Sequence, residues 1–228
     1  MTEIVQNHKK LLTRSAGGKD IWVHHVGDLK LPRFVLMGGI HGDEPEGALI
    51  VEDFLAHAQQ LKNALKASAL VVPRYNPDGL DINERVNSRG VDLNRNFPAT
   101  DWSPEHKAPR YFPGTHANSE PETQGFVELL QQHQPFLVVH CHTYIPQINY
   151  TGTQSKKWAE IIGLGSGHPI TEDIGYPTPG SLGQFCLHNL KTACVCIELP
   201  EQVERKSAWA MVGPNLLTIL ERGLDLIK

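Results

Sequence analysis

The chain reads as an α/β protein built on a mostly parallel or mixed sheet. Three observations point there. Short apolar runs alternate with longer stretches of helical periodicity, the pattern of strands joined by crossover helices. At 228 residues the chain can enclose a sizeable core in one domain. Its 40% hydrophobic and 20% charged residues are ordinary for a globular protein. The expected strands are Ile21–His25, Phe34–Gly39, Leu70–Tyr75, Phe136–Cys141, Gln147–Thr151 and Ala193–Leu199. The expected helices are Glu46–Leu61, Glu122–Gln132, Lys157–Leu164, Leu182–Asn189 and Ala208–Ile227. Between the third strand and the second helix, Asn76–Ser119 reads as irregular and rich in Pro, Gly and Asn. So long a loop inside a compact domain is usually functional.

Bulk properties exclude several partners. The formal net charge is −4, and no basic block suggests nucleic acid or a membrane surface. No apolar stretch approaches the ~18 residues that a bilayer span needs. Met1–Lys10 is polar and lacks the apolar core of a signal peptide, so a cytoplasmic protein is expected. Cys141, Cys186, Cys194 and Cys196 form no C-x-x-C pair and read as buried hydrophobes in a reducing compartment.

The chemistry concentrates at strand ends. Phe34-Val35-Leu36-Met37 runs into Gly38-Gly39 and then His41-Gly42-Asp43-Glu44. A His and a Glu three residues apart on a turn can face one cation. Catalytic zinc takes three protein ligands and keeps a position open. A third donor follows another apolar run, at Val138-Val139-His140-Cys141-His142. His140 and His142 share a face, so periodicity does not choose between them. His142 is nearer the strand end; His140 suits a core or supporting role. Val195-Cys196-Ile197-Glu198-Leu199 embeds one carboxylate in an apolar strand. Such a group is either a general base with a raised pKa or half of a structural ion pair. The turn Asn76-Pro77-Asp78-Gly79 precedes a stretch holding Arg85, Arg89 and Arg95. Arginine forks suit a substrate carboxylate or a developing oxyanion.

Together, H-G-D-E, N-P-D-G, R-V-N-S-R-G-V-D-L-N-R-N-F-P, S-E-P-E-T, H-T-Y and I-E-L-P resemble the zinc carboxypeptidase family, in that order, from about Phe34 to about Pro200. The strongest likeness is to its bacterial branch that trims cell-wall peptides. The resemblance implies a single three-layer α/β/α domain over residues 1–228, with a mixed, twisted central sheet. It implies one zinc ion held by His41, Glu44 and His142, with Glu198 as base and Arg85 as oxyanion donor. Asn94 and Arg95 would grip the substrate's free carboxylate, Asp92 would brace the loop, and Thr143 and Tyr176 would also touch substrate. Tyr176 stands near the place of the family's mobile tyrosine, after a one-residue shift. A cis peptide bond after the third ligand would strain Thr143–Tyr144. The implied substrate is murein tripeptide, cut between γ-D-glutamate and meso-diaminopimelate, with Thr178, Ser181 and Gln184 as candidates for reading the diaminopimelate side chain. Two alternatives are a deacylase of N-acyl amino acids and a non-catalytic peptide binder.

Overall fold

The computed structural model describes residues 7–61, 64–172 and 174–228; Met1–Gln6, part of the N-terminal segment read above, lie outside them. In chain order the elements are β1 (Asn7–Arg14), β2 (Asp20–Val26), β3 (Arg33–Gly38), α1 (Pro45–Ala58), β4 (Ser68–Val72), α2 (Pro77–Ile82), α3 (Pro121–His133), β5 (Leu137–Tyr144), β6 (Gln147–Thr151), α4 (Lys156–Ile162), β7 (Ile170–Thr171), α5 (Leu182–Phe185), β8 (Ala193–Pro200) and α6 (Arg205–Arg222). The strands form one sheet in the order β1-β2-β4-β3-β5-β8-β6-β7. β4, β3, β5 and β8 run parallel at its centre, and β2 and β6 join this block antiparallel. The sheet is therefore mixed, as the sequence implied.

Strand alternation sends side chains to two cores. Phe34 and Leu36 of β3 pack in one core with residues of α1, α4 and α6. Val35 and Met37 enter the other with residues of α3 and α5. Helices thus cover both faces, as a buried parallel block requires.

The differences from expectation have local causes. β1 was not foreseen, because Asn-His-Lys-Lys-Leu-Leu-Thr-Arg is mostly polar; it is an edge strand, paired only to β2. α2 was read as a turn, yet Asn76 accepts from the Gly79 N–H at 3.0 Å and Pro77 occupies the first helical turn, which starts a short helix. The two-residue β7 is too short for a periodicity signal. After α5 the expected helix continues as one π turn, Cys186–Leu190.

The Asn76–Ser119 stretch is packed, not loose. Asparagines staple its backbone. Asn87 Oδ1 accepts from the N–H groups of Arg89 and Val91, both at 3.0 Å, and its amide donates to Glu120 at 2.9 Å. Asn96 donates to the Pro113 carbonyl at 2.8 Å and accepts from the Glu120 N–H at 3.1 Å. These buried amides replace the ladder bonds that the segment lacks.

The expected cis bond at Thr143–Tyr144 is a correction: the described residues contain no cis peptide. β5 simply runs on as extended chain, with Thr143 opposite Leu199 and Tyr144 opposite Pro200. No helix among the described residues is long and apolar enough to cross a membrane.

Candidate active site

The ends of β3, β5 and β8 and the stapled loop surround a cleft of about 940 Å³. β3 ends at Gly38, where only glycine fits: a Cβ there would meet the Gly47 carbonyl oxygen at 2.3 Å. The chain then turns through His41 and Gly42, where a Cβ would lie 2.0 Å from the backbone of Gly79. Glu44 occupies the N-cap of α1 but makes no side-chain cap bond. Its carboxylate is turned instead to the two histidines.

Those three residues converge. Glu44 Oε1 lies 2.9 Å from His41 Nδ1, and Oε2 lies 2.8 Å from His142 Nδ1. The two Nδ1 atoms are 3.1 Å apart. In a tetrahedral zinc site with bonds near 2.1 Å, neighbouring ligand atoms stand ~3.4 Å apart, so small outward movements would admit the ion. Electrostatics agree. Burial and Arg85 push His41 down, but Glu44 and Asp92 outweigh them and raise it. Burial pushes Glu44 up, yet His41 and His142 hold it well below the usual carboxylate range. Burial lowers His142, which favours its neutral form, the form able to ligate a metal. The cluster favours a positive charge at its centre.

Asp92 braces this centre. It is fully buried, and Oδ1 accepts from His41 Nε2 at 3.2 Å and from the Asn94 N–H at 3.0 Å. Oδ2 accepts from Arg85 Nε at 3.0 Å. Burial would raise its pKa, but Arg85 and His41 hold it far down. Arg85 also reaches Glu44 at 3.3 Å and lies over the Tyr111 ring at 5.3 Å. Tyr111 was not singled out in the sequence; its signal was an aromatic in a Pro-rich loop beside an arginine.

Glu198 stands opposite His142 in the β5–β8 ladder and opposite Gln147 in β6. One carboxylate oxygen accepts from Cys196 Sγ at 3.3 Å. The other is buried without a hydrogen-bond partner. No ion pair to Glu198 occurs among the described residues, so the structural alternative, a buried salt bridge, is not what the chain builds. Burial, with repulsion from Glu44, pushes its pKa up to about 8.

Of the three loop arginines, two line the cleft. Arg95 is buried, donates to the Asn94 carbonyl at 2.7 Å, and has no carboxylate in ion-pair range among the described residues. Asn94 uses Oδ1 to accept from the Leu182 N–H at 3.0 Å. Arg89 instead turns outward towards Glu120, 3.6 Å away. Thr143 lines the cleft, but its N–H and hydroxyl face Glu44 and Glu46 at 3.3 and 3.5 Å. Tyr176 lines the cleft and is 42% exposed. Thr178 and Ser181 line it, whereas Gln184 does not. Asn149 and Thr151 on β6 and Cys196 on β8 complete a polar wall that the sequence does not signal, because isolated polar residues on buried strands carry no distinctive pattern.

A family model described as zinc carboxypeptidase matches residues 4–193. Murein peptide amidase A of Escherichia coli strain K12 is 31% identical over 198 residues, 80% of this chain and 78% of that protein. The crystal structure of murein-tripeptide amidase from E. coli O157 superposes with a TM-score of 0.72 at 24% identity, covering 96% of this chain and 94% of that one. Bovine thrombin-activatable fibrinolysis inhibitor superposes with a TM-score of 0.79 at 17% identity, covering 97% and 90%.

Proposed function

Because the chain belongs to the zinc carboxypeptidase family and is a hydrolase, we propose that it is a zinc-dependent amidase of murein tripeptide, cutting the bond from γ-D-glutamate to meso-diaminopimelate. One observation carries the catalytic part: a buried carboxylate oxygen with no partner, on Glu198, opens into the same cleft as the converged His41, Glu44 and His142. The names and coverage of the relatives support the substrate. So does the polar wall of Asn149, Thr151, Thr178 and Ser181, which suits a side chain ending in an ammonium and a carboxylate rather than an apolar one.

His41, Glu44 and His142 would hold a single zinc ion. When bound, zinc acidifies water and polarises the scissile carbonyl. A cation held there would lower the Glu198 pKa from about 8. Glu198 takes the proton of the attacking water and passes it to the leaving nitrogen. Arg85, fixed by Asp92, donates to the oxygen of the tetrahedral intermediate. Arg95 and the Asn94 amide bind the free carboxylate of the leaving residue, which supplies the counter-charge that the buried guanidinium lacks. Tyr176 closes over the bound peptide from its exposed loop. A cytoplasmic, recycling role belongs to this reading; four buried, unpaired thiols support a reducing compartment.

The test is incubation with murein tripeptide, with and without a chelator, followed by mass spectrometry. Metal-dependent release of free diaminopimelate is expected. Cleavage of N-succinylglutamate with no release of diaminopimelate would establish the deacylase alternative. Binding without cleavage, even with zinc added, would establish a peptide-binding protein.

A further inference from the structure

The two histidine ligands are anchored differently. A histidine that ligates through Nδ1 carries its proton on Nε2, and the group that accepts that proton fixes the ring. For His41 the acceptor is a carboxylate, Asp92 Oδ1 at 3.2 Å. For His142 no carboxylate or carbonyl among the described residues is paired with Nε2. Its neighbour is His140 Nδ1, at 2.9 Å, with the rings edge-on and 4.9 Å between centroids. Both residues are buried, so water does not compete for the contact.

We propose that His140 is a positioning residue for the metal site, accepting the Nε2 proton of His142 and thereby aiming the His142 Nδ1 lone pair at the cation; this rests on the metal-site reading above. The tautomers follow from the contact. With His142 Nε2 as donor, His140 Nδ1 is the acceptor, and the His140 proton sits on Nε2. The anchor is therefore a pair of buried side chains on one strand, His142 and His140 of β5. The spacing arises from strand geometry. Residues two apart on β5 share a face, which places both imidazoles on the cleft side.

The arrangement separates His140 from a ligand role. His140, His142 and Cys196 also lie close enough together to be compared with a metal set. Towards His140 the nearer His142 nitrogen is Nε2, whereas Nδ1 is the atom facing His41 and Glu44. Anchoring one cation through Nδ1 leaves Nε2 for the hydrogen bond.

Leu and Asn have the same number and branching of side-chain heavy atoms and differ in offering an acceptor, so comparing His140→Leu with His140→Asn tests the hydrogen bond. Zinc affinity is measured by competition with a chelating dye, and the visible absorption of the cobalt-loaded protein reports ligand geometry. His140→Leu should weaken zinc binding about 10–100-fold and shift the cobalt bands, while His140→Asn stays within about threefold of wild type. Equal affinities for all three proteins, or equal weakening by both variants, would overturn the proposal. Should His140→Leu fail to fold, His140→Asn decides: unchanged cobalt bands support the anchor, and displaced bands sink it. A wild-type chain that binds no zinc refutes the metal-site reading itself, a different result from any of these.

Discussion

Replacing Glu198 by Gln keeps the side chain's volume and removes its charge. In the metal-free protein Glu198 titrates at about 8, against 4.5 for an unperturbed glutamate. The difference, 8 − 4.5 = 3.5 units, corresponds to about 5 kcal/mol at ~1.4 kcal/mol per unit. An unfolded chain releases this proton near pH 4.5, while the folded chain keeps it to about pH 8. The folded state therefore binds more protons in that window, and stability falls as pH rises through it. Below the window the wild type has the full contribution; above it the contribution is gone. Glu198→Gln does not titrate. Between about pH 5 and pH 9 the stability difference should swing towards the variant, by several kcal/mol. Urea unfolding of both proteins in chelator, across that range, measures the swing. In the zinc-loaded enzyme the same substitution removes the base and should lower kcat by about 10²–10⁴-fold. A stability difference that is flat with pH refutes the unpaired buried carboxylate, and undiminished cleavage refutes its role as base.

Three further outcomes are expected. Arg85→Gln should lower kcat about 10²–10³-fold with little change in KM, read from steady-state kinetics on murein tripeptide. Arg95→Gln should lower kcat/KM about 10–100-fold, mainly through KM, and amidating the substrate's carboxylate should cost the wild type far more than the variant. Gly42→Ala puts a Cβ 2.0 Å from the Gly79 carbonyl carbon and 2.4 Å from the Glu84 carbonyl oxygen; backbone cannot yield there, so denaturant titration should show a loss of about 3 kcal/mol or more.

Legibility in the sequence followed the strength of the physical signal. β3, β5 and β8 were plain because buried parallel strands are continuous apolar runs, and Gln147–Thr151 was placed to the residue. β1 was hidden because an edge strand needs no apolar face of that kind. β5 proved longer than expected, and His142 lies inside it, because polar residues facing a cleft break the apolar run before the ladder ends. At the site, the turn at His41–Glu44 and the lone Glu198 stood out as chemistry in apolar surroundings. Two things could not be read. One was, from residue chemistry alone, which loop arginines turn inward: the family resemblance picks Arg85 and Arg95, but Arg85, Arg89 and Arg95 look alike as residues and are sorted by Asp92, Glu120 and the cleft. The other was whether Glu198 had an ion-pair partner, which depends on residues far away in the chain.

The pairing of His142 with Glu198 across β5 and β8 has a consequence for how such enzymes diversify. The spacing between the proposed metal ligand and the proposed base is set by the repeat of a parallel ladder at the centre of the sheet. Much of the wall that would meet the substrate, by contrast, comes from segments such as Ser103–Tyr111 and Ile174–Ser181, outside the strands, with Asn149 and Thr151 of β6 completing it. Selectivity can thus vary largely apart from the His142–Glu198 spacing. Exchanging those segments with a relative's should redirect what is cut while leaving the spacing of ligand and base as it was.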